Sequence, residues 1–143
     1  MKTDDLLSTL SLPPVKQSID LPVITKDTVL PFEKLEWENF ERFCFQFGCK
    51  MMKCLDTSHP YGRRGQKQDG IDLYFGVESR KVVWQIKRYK KFSHSNIADA
   101  VEIFLNGKWE DKVDDFGLFV ACSLDDVAAV DEIDRQTDIL KEK

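Results

Sequence analysis

The middle of the chain holds two alternating segments that can do little except pair as strands. Ile71, Leu73, Phe75 and Val77 alternate with Asp72, Tyr74 and Gly76, and Val82, Trp84 and Ile86 alternate with Val83, Gln85 and Lys87. Only a short turn around Glu78 and Ser79 separates them, so they predict a hairpin. If it is symmetric about that turn, Asp72 and Gln85 stand opposite each other, with Cβ atoms about 4.5–5.5 Å apart. Gln85 and Lys87, two residues apart, share a face. A carboxylate, an amide oxygen and an ammonium thus converge on one patch of sheet. An ordinary salt bridge on a solvated face accounts for many Asp/Lys strand pairs. In otherwise apolar strands, however, a charge needs a partner or a metal to offset its desolvation.

The flanks predict helices. Residues 1–31 read as a partly mobile leader, interrupted by Pro13, Pro14, Pro22 and Pro31. From about Glu33 to Phe47 the apolar residues Phe40, Phe43, Cys44 and Phe47 fall at helical spacing, Trp37 extends the stripe, and Gly48 is the expected stop. A glycine-studded loop, Pro60 to Gly70, leads into the hairpin. A second helix is expected from about Ser95, with Ile97, Val101, Phe104 and Leu105 inward, and Phe116 to Ala121 reads as a buried strand. Ser123 is the expected cap of a last helix, with Asp125 and Asp126 in its first turn. The order predicts an α/β (α+β) sandwich, a central mixed sheet flanked by helices. The last helix has a thin apolar stripe and the chain stops within it, so residues 32–143 read as one domain of a longer protein.

Composition narrows the classes. A chain of 143 residues, 42% hydrophobic and 11% aromatic, can bury a core. It lacks the run of about 18 apolar residues that a membrane span needs, and its first residues carry aspartates where a signal peptide would be basic. Four cysteines are too few for a disulfide scaffold, which points to a reducing, cytoplasmic setting. Cys44, Cys49, Cys54 and His59 recur every five residues, wider than the usual zinc pairs, so buried thiols are the reading. The net charge of −4 conceals an asymmetry. Residues 62–91 hold nine basic and three acidic side chains, whereas 92–143 hold five and thirteen. A basic island in an acidic molecule suits a phosphate-facing surface, although charge alone also fits a solvated loop.

The stretch Gly65-Gln66-Lys67-Gln68-Asp69-Gly70-Ile71-Asp72, followed by Trp84-Gln85-Ile86-Lys87-Arg88-Tyr89, resembles the PD-(D/E)xK nucleases. It is most similar to their Mrr-like restriction endonuclease branch, with a glycine-rich loop, G-I-D on one strand and Q-x-K on the next. Trp37-Glu38-Asn39-Phe40-Glu41 looks like that family's W-x-x-F-E helix, and the resemblance covers about Phe32 to Ser123. It implies a restriction-endonuclease-like core and a metal-dependent endonuclease acting on double-stranded DNA with little sequence specificity. Carried over residue by residue, Asp72 is the principal Mg²⁺ ligand (Mn²⁺ substituting) and Gln85 stands where many relatives have a second acid. Lys87 is the signature lysine, and Glu41 is an outer or second-metal ligand. Asp69 is an alternative acid, with turn-making before Gly70 as its simpler role.

Within that resemblance, the metal lowers the pKa of a bound water and Lys87 orients it or offsets transition-state charge. A neutral amide at position 85 implies weaker metal affinity than an acid there. Arg63, Arg64, Lys67, Gln68, Arg88, Lys90 and Lys91 then become the DNA-tracking residues, with Tyr61 or Tyr89 against sugar or base and His94 a surface or phosphate contact. The form Tyr61-Gly62-x-x-Gly65-Gln66-x-Gln68, with Leu30-Pro31-Phe32-Glu33 ahead of the Trp37 helix, looks like N-terminal effector domains of antiviral STAND NTPases. That likeness implies self-association, as a dimer or higher, through further domains. The alternative is a catalytically silent nucleic-acid-binding or assembly module of the same fold, which Gln85 keeps open.

Overall fold

The computed structural model describes residues 30–62 and 66–143. The leader expected over residues 1–31 lies outside the described residues except for its last two, and Arg63 and Arg64 lie outside them too. The hairpin forms as its alternation requires. β2 (Leu73–Val77) and β3 (Arg80–Lys87) pair antiparallel from Val77↔Arg80 to Leu73↔Trp84, with Glu78 in the turn at φ 56°. β4 (Asp115–Val120) adds parallel to β3, from Val82↔Asp115 to Lys87↔Val120. Such a pairing needs a long crossover, and α2 (His94–Leu105) supplies it. The two-residue β1 (His59–Pro60) completes a four-stranded mixed sheet in the order β1-β2-β3-β4. β4 was expected as a buried strand; it is half-buried throughout because it lies at the sheet edge.

α1 (Trp37–Met52) covers one face. Its start is later than expected, because Phe32–Lys34 forms a separate 3₁₀ turn. Its inward stripe is Phe40, Cys44, Phe45, Gly48 and Cys49, packed on Leu73, Phe75, Val82 and Ile86. Phe47, expected inside, is 44% exposed and lies over Phe43 and Phe119. Gly48 does not stop the helix, which runs on until Lys53 adopts a left-handed conformation at φ 53°. A Cβ at Gly48 would stand 2.5 Å from Phe75 Cζ and 3.1 Å from Trp84 Cζ3. The glycine is there for the close approach of helix and sheet.

α2 and α3 (Val127–Lys141) cover the other face. α2 begins earlier than expected: Ser93 is its cap, in a capping box with Asn96. Asp126, not Ser123, caps α3 by accepting the Ala129 N–H at 3.3 Å. Between sheet and helices, Val83 packs with Phe104, whose ring stacks on Phe116 at 4.1 Å, and Ile97, Ala100 and Ala129 pack with Leu118 and Val120. The result is a three-layer α/β/α sandwich.

Replacing Gly48 by Ala gains about 1 kcal/mol of helix propensity. Overpacking against Phe75 costs roughly 1–3 kcal/mol, so we expect urea denaturation to show a net loss or at best no gain. A clear gain in the midpoint would mean that the α1–sheet contact is loose.

Candidate active site

The site starts where the β2–β3 ladder ends. The Asp72 N–H donates to the Trp84 carbonyl at 2.8 Å, one residue out of step with Leu73↔Trp84. The Ile86 N–H donates at 2.7 Å to Asp72 Oδ2, so a side-chain carboxylate stands where a neighbouring strand's carbonyl would be. The slip also turns Ile71 across the sheet. Expected in line with Leu73 and Phe75, it packs instead with Val83 and Phe104, while Leu73 and Phe75 pack under α1. Asp72 and Gln85 are therefore not a regular cross-strand pair, as symmetry predicted, but both line one cleft.

That cleft has a volume of about 420 Å³, and its walls include Asp72, Gln85, Lys87, Trp37, Gln68 and Arg88. Gln85 is 6% exposed, and its Oε1 is buried with no hydrogen-bond partner among the described residues. A buried acceptor in that state costs free energy unless something else supplies the positive end. Burial pushes the Asp72 carboxyl above its ordinary value, opposed by the Ile86 hydrogen bond and by the Lys87 charge. Glu41, on α1, is also pushed up by burial, then by the charges of Asp72 and Glu38, with Arg42 opposing. Each influence names a neighbour: Lys87 lies within electrostatic reach of Asp72, and so does Glu41. Of the four residues carried over from the family resemblance, Asp72, Gln85 and Lys87 line the cleft, whereas Glu41 is not among its lining residues and is placed only within electrostatic reach of Asp72.

Other expected residues are placed less simply. Asp69 has a positive φ of 51° and pairs with Lys67 at 3.4 Å and Lys108 at 3.7 Å, the turn-making role. Gln68 Nε2 donates to the Tyr61 carbonyl at 2.8 Å, tying the loop while also lining the cleft. Arg88 was expected on the DNA. Its Nη1 donates to the Leu35 carbonyl at 2.8 Å and the Glu33 carbonyl at 3.3 Å, so it braces the chain entering α1, while its Nε is buried and unpartnered among the described residues. No periodicity in the sequence signals that brace. Lys67, Lys90 and Lys91 are exposed, as is His94 at the start of α2. Tyr89, also exposed, stacks on Phe92, and Tyr61 meets the edge of Trp109 with Lys108 over its ring. Arg80 and Lys81, part of the basic island by sequence, sit at the opposite end of β3, roughly 20 Å away. Arg80 pairs there with Asp115.

Cys44, Cys49 and Cys54 are buried free thiols, and burial pushes Cys49 up to about 11 and Cys44 higher still. Thiols so protonated are poor metal ligands at neutral pH. Among the described residues no three His, Cys, Asp or Glu side chains gather to hold an ion. The carboxylate and amide side chains lining the cleft are Asp72, Gln68 and Gln85. No helix among the described residues is long and apolar enough to cross a membrane. Comparison with family models, with curated proteins and with solved structures finds no match.

Raised carboxyl pKa values mean that the folded chain holds protons the unfolded chain has lost. Stability should fall as pH rises from about 4 through the raised values and then level off. Asp72→Asn keeps an acceptor for Ile86 N–H and Glu41→Gln keeps the shape, so each should melt progressively higher than the parent between pH 4 and 7 without added metal. Equal melting differences across that range would show that neither acid titrates high in the folded state.

Proposed function

We propose that this domain is a metal-dependent phosphodiesterase that cuts DNA, with Asp72, Gln85 and Glu41 holding a divalent cation and Lys87 facing the reacting phosphate. The observation that carries this reading is the buried Oε1 of Gln85, without a hydrogen-bond partner among the described residues, on a residue that lines one cleft with Asp72 and Lys87. A cation there supplies Lewis-acid polarisation of a phosphoryl oxygen and a water of lowered pKa. The chain's own residues do the rest. Ile86 N–H holds one oxygen of Asp72, fixing the carboxylate's orientation, and the Asp72 carboxylate would help to hold a cation. Burial of Gln85 among packed strands holds the amide without a mobile loop. Lys87 offsets the negative charge that builds on phosphate as the water oxygen bonds to phosphorus and the bond to the departing sugar oxygen breaks. The restriction-endonuclease-like core and a role as defence effector, which the sequence resemblance implies, belong to the same proposal.

The nucleic-acid surface is built from two rims of the cleft. Lys67 stands beside Gln68 on one, and Lys90 and Lys91 follow Tyr89 on the other. The acidic C-terminal stretch, residues 92–143, forms α2, β4 and α3, on the sheet face away from α1 or at its edge. Long DNA is the substrate class that such rims favour, because separate lysines neutralise successive phosphates.

The test is nicking of supercoiled plasmid with Mg²⁺, Mn²⁺ or EDTA. We expect metal-dependent nicking, reduced about 100-fold or more by Lys87→Ala, in line with removal of a transition-state charge contact. Absence of cutting, alone or fused to a dimerising partner, with DNA bound equally by parent and variant, would favour the silent-module alternative. Separately, Lys90→Ala and Lys91→Ala should each weaken duplex binding across all sequences. Each should also flatten the salt dependence by about one unit of slope, measured by fluorescence anisotropy.

A further inference from the structure

We propose that Tyr89 is a stacking platform for one unpaired nucleobase, so that the cleft prefers DNA with an unpaired nucleotide beside the scissile phosphate over continuous duplex. The inference rests on the reading above and narrows its substrate class. Three aromatic residues stand at or beside the cleft, and two are already engaged. Trp37 packs against the core under α1. Tyr61, tied to the wall residue Gln68, meets the edge of Trp109 at 5.1 Å and has Lys108 over its ring at 5.5 Å. Tyr89 lines the cleft and is 48% exposed. Phe92 lies against one face of its ring, with centroids 5.6 Å apart and planes 15° from parallel, so the open surface is the other face and the rim.

The ring is also held in place. Its segment belongs to neither β3 nor α2, yet it is anchored on both sides. Arg88 Nη1 donates to the carbonyls of Leu35 and Glu33. Phe92 is buried and packs with Ile97, Ala100 and Ala129, and Ser93 closes the capping box of α2. A braced ring loses little freedom when a flat ligand settles on it. Its surroundings name the ligand's chemistry. Lys87, a wall residue, precedes Tyr89 by two positions, so their Cα atoms are at most about 7 Å apart. Lys90 and Lys91, both exposed, follow it. An aromatic face among ammonium groups suits a planar base on an anionic chain. A base within a duplex has both faces covered by its neighbours. Extracting it costs unpairing and unstacking, a cost that is least for a base already unpaired. Every base has such a face, so the platform reads pairing state and not sequence.

Binding is measured in EDTA, where nothing is cut, to three probes. Two carry one unpaired 2-aminopurine, in a single strand and in a bulged duplex, and the third is the fully paired duplex. Stacking quenches that base's fluorescence, which a loss of stability alone does not imitate. We expect the parent to bind the bulged duplex more tightly than the paired one and to quench its probe. Tyr89→Leu should lose the quench and about tenfold in affinity for the bulge, the scale of one base–aromatic stack. Tyr89→Phe, which keeps the ring, should keep both. If the parent binds DNA and nicks it with Mg²⁺ but shows no Tyr89-dependent quench or no preference for the bulge, the platform is overturned and the phosphodiesterase reading stands. A Tyr89-dependent quench without any metal-dependent cutting upholds the platform and overturns the hydrolysis. Nucleic acid bound by neither parent nor variant overturns both. If circular dichroism shows Tyr89→Leu unfolded, the parent's choice between bulged and paired duplex decides, and no preference for the bulge overturns the platform.

Discussion

The hydrogen bond from Ile86 N–H to the Asp72 carboxylate joins the sheet to the site. In a regular antiparallel ladder that amide would find a backbone carbonyl, and Asp72 would be one more alternating residue. Here the backbone slips by one residue at the strand's start, and the carboxylate closes the gap. Three things follow from that slip. The Ile86 amide stays satisfied at the buried end of β3, Ile71 crosses to the α2 side of the sheet, and Asp72 becomes a wall of the cleft with Gln85 and Lys87. The acceptor that closes the sheet and the carboxylate that lines the cleft are one group, so the position of Asp72 is tied to the sheet that carries it.

The rest of the fold brings other groups to that end of the hairpin. Gly48 lets α1 settle onto Phe75 and Trp84, and the same helix carries Glu41 towards Asp72. Arg88, just beyond β3, grips the carbonyls of Glu33 and Leu35 and ties the chain ahead of α1 to the mouth of the cleft. Gln68 holds the approach loop to Tyr61. These contacts place charged or amide groups in half-buried positions where each raises the cost of leaving its neighbour unpaired. The raised carboxyl pKa values and the polar atoms of Gln85 and Arg88 that lack partners among the described residues are two aspects of this same arrangement.

Much of this was legible before any coordinates. The alternation of Val82 to Lys87 named the faces of β3, and the turn at Glu78 and Ser79 named the hairpin and its register as far as Leu73↔Trp84. Asp72, Gln85 and Lys87 stood out because charge and amide are unusual in apolar strands. The stripe of α1 was read one position off: Phe45 is buried and Phe47 is not, since helical spacing alone cannot tell which flank of an apolar arc meets the sheet. Gly48 and Ser93 show the same limit. A glycine reads as a stop and the second helix as starting near Ser95, until packing shows that the glycine is a contact and a capping box at Ser93 starts the helix earlier.

Local periodicity and chemistry are properties of neighbouring residues, so the sequence by itself determined the hairpin, the helix–strand order, the basic island and the residues worth suspecting. Tertiary structure alone decided the slip at Asp72, the side on which Ile71 lies, the bracing role of Arg88 and the separation of Arg80 and Lys81 from the cleft. Each depends on partners tens of residues away, or on how far a strand runs before it ends. Long-range hydrogen bonds and burial set those outcomes, and no window along the chain contains them.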